Sequence, residues 1–167
     1  MDEAKRLRLL REAEGYFELG MEEECLRTLS ELLPQDQTRR EVLALRLAVA
    51  MKNQSWSAAA EIAACLVERD PQDANWWIKF AYCVRRARSI DEAELILIRA
   101  AELHPDVAVI QYNLACYACQ TGRLQEARER LIRARKMDRS VEKMAVEDDD
   151  LFALRDWITS GEWKTAR

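Results

Sequence analysis

The chain has 167 residues, 49% hydrophobic and 34% charged, which is enough apolar text for one ordinary core and too many charges for a membrane-embedded protein. Only 4 glycines and 3 prolines occur, too few turns for a sandwich or barrel, while Ala, Leu, Glu and Arg dominate, so the fold is expected to be all-α. A balance of 26 basic against 30 acidic side chains gives a net charge of -4, and nucleic acid and membrane surfaces are excluded as partners on that ground.

The opening stretch, MDEAKRLRLLREAEGYFELG, carries charges every few positions and no apolar core of signal-peptide length. The cysteines (Cys25, Cys65, Cys83, Cys116 and Cys119) are scattered through apolar helical text, unlike a disulfide framework. Reduced thiols and a cytoplasmic location are expected.

Taken in chain order, the text repeats every 34 residues. The first copy, about residues 6–38, sets Leu9, Ala13 and Tyr16 before a turn at Gly20, then Cys25, Leu29 and Leu32 after it. The second, 39–72, answers with Leu43, Leu47 and Ala50, a turn at Gln54, and Ala59, Ala63 and Leu66. The third, 73–106, gives Trp77, Ala81 and Val84, then Arg88, then Ala93, Leu97 and Ala100. The fourth, 107–139, gives Gln111, Ala115 and Ala118, then Gly122, then Ala127, Leu131 and Ala134. Each copy reads as two amphipathic helices joined by a tight turn. Small residues recur where helices cross at roughly 8–10 Å, because a large side chain there would hold them apart. Pro71 and Pro105 stop the second helices of copies two and three, whereas Pro34 comes three residues early, so the second helix of copy one should end a turn short.

Residues 140–167 break the pattern. Ser140 and the acidic run Glu147–Asp150 read as helix-start signals, and Leu151, Leu154, Trp157 and Ile158 form one apolar stripe ending near Gly161. A closing helix with a polar outer face is expected, as terminal units of repeat arrays require.

The third copy, NWWIKFAYCVRRARSIDEAELILIRAAELHPD, resembles the tetratricopeptide repeat at Trp77, Ala81, Ala93 and Pro105. Four copies in register over about residues 6–139 make the resemblance specific, although Arg139 replaces the last proline and copy two lacks the turn glycine. It implies a right-handed α-solenoid of antiparallel helix pairs whose first helices line a concave groove for a peptide or helix of another protein. Carried onto this sequence, the groove positions are Leu10, Glu14 and Phe17; Ala44, Ala48 and Met51; Asn75, Ile78, Tyr82, Arg85 and Arg86; and Tyr112, Cys116 and Cys119, with Lys79 extending the basic cluster. Tyrosines beside arginines suit a partner segment that is apolar or aromatic with some acidic character.

The subset of the family that clamps a chaperone's C-terminal carboxylate is not matched. Its places hold Leu10, Glu14, Leu45, Asn75 and Lys79, of which only Lys79 has the required charge. Alternatives to a scaffold or assembly factor are a cytoplasmic chaperone of the type III secretion class and a chain that fills its own groove by self-association.

No enzyme is expected. A single histidine, His104, stands beside Pro105, there is no glycine-rich phosphate loop, and no metal or cofactor is implied. Cys116 and Cys119 have redox spacing, but within a helix and without a second pair they read as small groove residues. The arginines from Arg123 to Arg135 are interleaved with Glu126 and Glu129, the pattern of a solvated outer face.

Overall fold

The computed structural model describes residues 3–164, among which α-helices and short 3-10 turns make up the regular structure and no strand occurs. The chain divides into two compact units, residues 1–88 and 89–167.

The first unit holds α1 (Glu3–Glu18), α2 (Glu22–Ser30), α3 (Arg40–Lys52), α4 (Trp56–Arg69) and α5 (Ala74–Ala87). α1 turns back onto α2 and α3 onto α4, and α5 then packs on α4. The turns at Gly20 (φ 75°) and Gln54 (φ 55°) are both left-handed. At each, the following amide reaches back to a carbonyl five residues earlier, Met21 to Tyr16 at 2.9 Å and Ser55 to Ala50 at 2.8 Å, which closes the helix end. Gln54 thus keeps the left-handed turn without glycine and carries the steric cost, whereas Arg88, at the corresponding turn of copy three, has φ −135°.

α2 has 9 residues against 14 in α4, as the early proline demands. The 3-10 turn Pro34–Asp36 fills the interval, and the Gln37 side-chain amide donates to the Leu29 and Leu32 carbonyls at 2.9 Å each, adding a donor at the end of the truncated helix. α5 starts at Asp73, whose carboxylate accepts the Asn75 amide. The repeat tryptophan, Trp77, is buried and donates through Nε1 to the Pro71 carbonyl at 2.9 Å, fixing the α4–α5 connection.

The second unit holds α6 (Ile90–Leu103), α7 (Ala108–Gln120), α8 (Leu124–Met137), α9 (Val141–Glu147) and α10 (Arg155–Ser160). α6 packs on α7 and α7 on α8, whose connecting turn is again left-handed at Gly122. In both units the residues that recur at the repeat step form the core. Cys25, Ala59, Ala93 and Ala127 are fully buried, as are Leu29, Ala63, Leu97 and Leu131. Tyr16 is the one member of the six aligned sets that is only half-buried.

The closing segment differs from the single helix read in the sequence. It runs as α9, a 3-10 stretch Asp149–Leu154, α10 and a last turn Glu162–Lys164, with an extended break at Asp148 (φ −81°, ψ 118°). The acidic run explains the break, because carboxylates in the last turn of a helix face the negative end of its dipole. Asp148 instead starts the next stretch, accepting the Asp150 amide on Oδ1 at 2.9 Å. The Ser140 hydroxyl bonds Asp138 at 2.8 Å and caps nothing. Leu151, Leu154 and Ile158 are buried as the stripe predicts, and Trp163 joins them, donating to the Ile158 carbonyl at 3.0 Å. The outer face is not uniformly polar: Met144 and Val146 are exposed, and Phe152 keeps 72% of its surface in solvent.

Candidate interaction surfaces

In the first unit the expected binding positions lie on α1, α3 and α5, which are tied together by side chains. Arg6 of α1 reaches Glu41 of α3 at 3.1 Å, and Arg40 of α3 lies over the Trp76 ring of α5 at 5.6 Å while pairing with Asp70 and Asp73. Leu10 is buried in the core beside Leu9 and Ala13. Phe17, Ala44, Ala48, Met51, Ile78, Tyr82 and Arg85 are half-buried, and Glu14, Asn75, Lys79 and Arg86 are exposed. The face is therefore open, with small side chains on α3 and large ones at its borders.

Its cations are held by rings. Lys52, paired with Glu22, lies 5.4 Å from the Phe17 ring, and Lys79 lies 5.0 Å from Trp76. Tyr82 meets Trp56 edge to face at 5.6 Å, and the Arg86 guanidinium lies 5.2 Å from the Tyr82 ring and 5.6 Å from Trp56. Stacking restrains Arg86 and leaves the N–H edges of its guanidinium for an incoming acceptor. Among the described residues no carboxylate pairs with it. Beside it opens a cleft of about 520 Å³ lined by Gln54, Ser55, Trp56, Ser57, Ala58, Arg86 and Ala87. Trp56 escaped the sequence reading because it opens a second helix, outside the first-helix positions considered. An indole among small residues, where the other copies place Glu22, Ile90 and Leu124, was the available signal.

In the second unit the equivalent positions on α7 are covered. Tyr112, Cys116 and Cys119 retain only 2%, 3% and 5% of their surface, because residues 148–154 lie along α7. The Tyr112 hydroxyl donates to Asp148 Oδ2 at 2.7 Å, and the Cys116 thiol lies 3.6 Å from the same oxygen. Farther along, Gln120 Nε2 donates to the Asp150 carbonyl at 3.0 Å. Burial, reinforced by the bond to Asp148, pushes the Tyr112 hydroxyl well above the usual tyrosine range. Asp148 was legible in the sequence only as a helix-start carboxylate; its contact with Tyr112, 36 residues earlier, was not.

Burial pushes the Cys119 thiol up and that of Cys83 to about 11, the opposite of an activated thiolate. Cys116, Asp148 and Asp150 bring candidate ligand atoms within 4.8 Å of one another, but the Asp148 carboxylate already accepts from Tyr112 and from the Asp150 amide, so the trio reads as an internal hydrogen-bond network. Three arginines at and along α8 are engaged within the unit: Arg123 with Glu94 at 2.7 Å, Arg130 with Glu126 at 2.8 Å and Arg135 with Glu142 at 2.6 Å, while Arg128 lies 5.2 Å from the Trp157 ring. Among the described residues no helix is long and apolar enough to cross a membrane.

No protein-family model and no curated protein matches the chain. Solved structures do. A crystal structure of MamA aligns with a TM-score of 0.75 at 16% identity over 93% of this chain and 87% of that one. A second MamA crystal structure gives 0.71 at 17% identity, covering 89% and 88%. PilF of Pseudomonas aeruginosa gives 0.71 at 19% identity, covering 96% of this chain and 73% of that one. MamA and PilF are tetratricopeptide-repeat proteins. Together with the 34-residue step, the left-handed turns and the buried small residues at each crossing, these likenesses show that the chain has the all-α solenoid fold of the tetratricopeptide repeat.

Proposed function

We propose that the chain is a non-catalytic protein-interaction module that seats a segment of a partner protein on the open face of α1, α3 and α5. The observation that carries this reading is Arg86, stacked on Trp56 and Tyr82 and unpaired among the described residues, at the border of a half-buried apolar face. Ala44, Ala48 and Met51 leave room for large apolar or aromatic side chains, and Arg86 takes a carboxylate of the same segment in bidentate fashion. Apolar contact supplies most of the affinity, and the charge sets register. A single half-buried histidine at the end of α6 and thiols whose ionisation burial opposes support a binding role over catalysis.

The test is affinity capture from the source cell with wild type and Arg86→Glu side by side, followed by calorimetry of the captured protein against both chains. At least a tenfold weaker Kd for the variant, with unchanged helicity, is expected. Equal Kd values would remove the open face as the site.

Self-association is a second reading, favoured by the exposed Met144, Val146 and Phe152 on the closing segment. Mass that rises with concentration in sedimentation supports it, and a monomer throughout excludes it.

A further inference from the structure

The covered face of α7 is as informative as the open one, because the cover shows what that face accepts. Residues 148–154 have the sequence DDDLFAL. Asp148 sets its carboxylate on the Tyr112 hydroxyl at 2.7 Å, the Asp150 carbonyl receives Gln120 at 3.0 Å, and Leu151 and Leu154 are fully buried. The contact is thus an acidic group followed at three-residue intervals by two leucines, read by a tyrosine, two small thiols and a glutamine on one helix face.

Three observations separate this segment from the repeat core. The first unit carries the same face on α1, α3 and α5 half-buried, with no comparable segment of its own described residues laid over it, so its helix pairs do not need such a cover. The segment is 3-10 rather than α, with poorer hydrogen-bond geometry, and it is flanked by helices of only 7 and 6 residues. Between its two buried leucines it holds Phe152 out in solvent, and Asp149 is fully exposed. Short elements with side chains in solvent between their buried contacts belong to the low-stability end of a structure, where local opening precedes global unfolding.

We propose that the inner face of α7 is a second interaction surface, specific for an Asp-x-x-Leu-x-x-Leu segment, and that residues 148–154 are its resident occupant, displaced by a partner segment of the same chemistry. The partner must outcompete an intramolecular ligand, so its apparent affinity is reduced by the fraction of chains in which the segment is docked. The surface is therefore silent toward weak ligands and answers only to a segment that reproduces both leucines and the carboxylate. This proposal stands independently of the open face of the first unit.

The probe is a fluorescein-labelled peptide of residues 146–156, VEDDDLFALRD, titrated by anisotropy into the full chain and into the full chain carrying Leu151→Ser and Leu154→Ser, which loosens the resident segment. The double variant is expected to bind the peptide at least tenfold more tightly than wild type. Adding Tyr112→Phe should weaken that binding at least threefold, and adding Arg86→Glu should leave it unchanged. A double variant that keeps its helicity and binds no more tightly than wild type overturns the proposal. So does binding lost with Arg86→Glu and kept with Tyr112→Phe, since the peptide would then sit on the first unit, and the reading of that unit would survive. Should the double variant not fold, hydrogen exchange of wild type decides. Amides of 150–154 exchanging at least tenfold faster than those of 114–119 are expected, and equal protection would make the segment part of the core and overturn displacement.

Discussion

The two units present the same helix face in opposite states. On α1, α3 and α5 it is half-buried and bordered by cations stacked on rings, whereas on α7 it is closed by the chain's own residues 148–154. The side chains account for the difference. On α3, Ala44, Ala48 and Met51 offer apolar contacts and no polar anchor, and on α5 the Arg86 guanidinium lies over the Tyr82 ring, while Tyr112, Cys116 and Gln120 of α7 offer an ordered set of donors that the acidic run can satisfy. A repeat supplies a surface, and its occupancy is decided by a few substitutions at the inner positions.

The largest effect that separates the units is at the tryptophan position. Trp77→Ala removes a buried indole and its bond to the Pro71 carbonyl and should destabilise the first unit by about 3–5 kcal/mol in denaturant unfolding. The equivalent Gln111→Ala in the second unit should lose about 1 kcal/mol, since its amide makes one long bond, 3.3 Å, to Arg130. Equal losses would mean that the repeat position, rather than the side chain in it, sets stability.

Next comes ligand binding. Tyr82→Ala should weaken a ligand of the open face by more than about 1 kcal/mol while leaving helicity intact. Tyr112→Ala should leave that affinity unchanged and instead lower the melting temperature, because it cuts the bond to Asp148 and opens a cavity under the cover. A ligand affinity that falls with Tyr112→Ala and not with Tyr82→Ala would reverse the assignment of the two faces.

Smaller still is the turn at Gln54. With φ at 55°, Gln54→Gly should stabilise the first unit by about 1 kcal/mol, where the same change at Arg88, whose φ is −135°, should destabilise. The smallest effect is the acid response of the closing segment. Hydrogen bonding from Arg135 holds the Glu142 carboxyl below the usual range, so its contribution is present above the unfolded carboxylate value of about 4.3 and is lost as pH falls through the depressed folded value. In Glu142→Gln this acid-sensitive component should vanish from pH-dependent unfolding of the segment.

The repeat step was legible because burial enforces it: a small residue at each helix crossing and a leucine beside it leave a periodic trace in any sequence of this fold. The early stop of α2 was equally legible through Pro34, and the left-handed turns through Gly20 and Gly122. The repeat step placed a turn at Gln54, but its left-handed conformation was not legible, because backbone context rather than residue type imposed it. The helices that carry the expected binding positions were legible as elements, but the accessibility of those positions was not. Whether Tyr112 faces solvent or Asp148 depends on where the chain bends after α9. That bend arises from four adjacent carboxylates, which serve equally well to start a helix or to end one. Trp56 was missed for a related reason, since its partner Arg86 lies 30 residues away and only packing of α4 on α5 joins them.

The contrast between the two faces is tested most directly by hydroxyl-radical footprinting of the native chain, comparing the oxidation rates of Tyr82 and Tyr112. These are residues of the same type on first helices of their repeats, one half-buried on the open face and one at 2% exposure beneath the cover. Tyr82 should be oxidised several-fold faster than Tyr112, and equal rates would contradict an open face in the first unit and a self-covered one in the second.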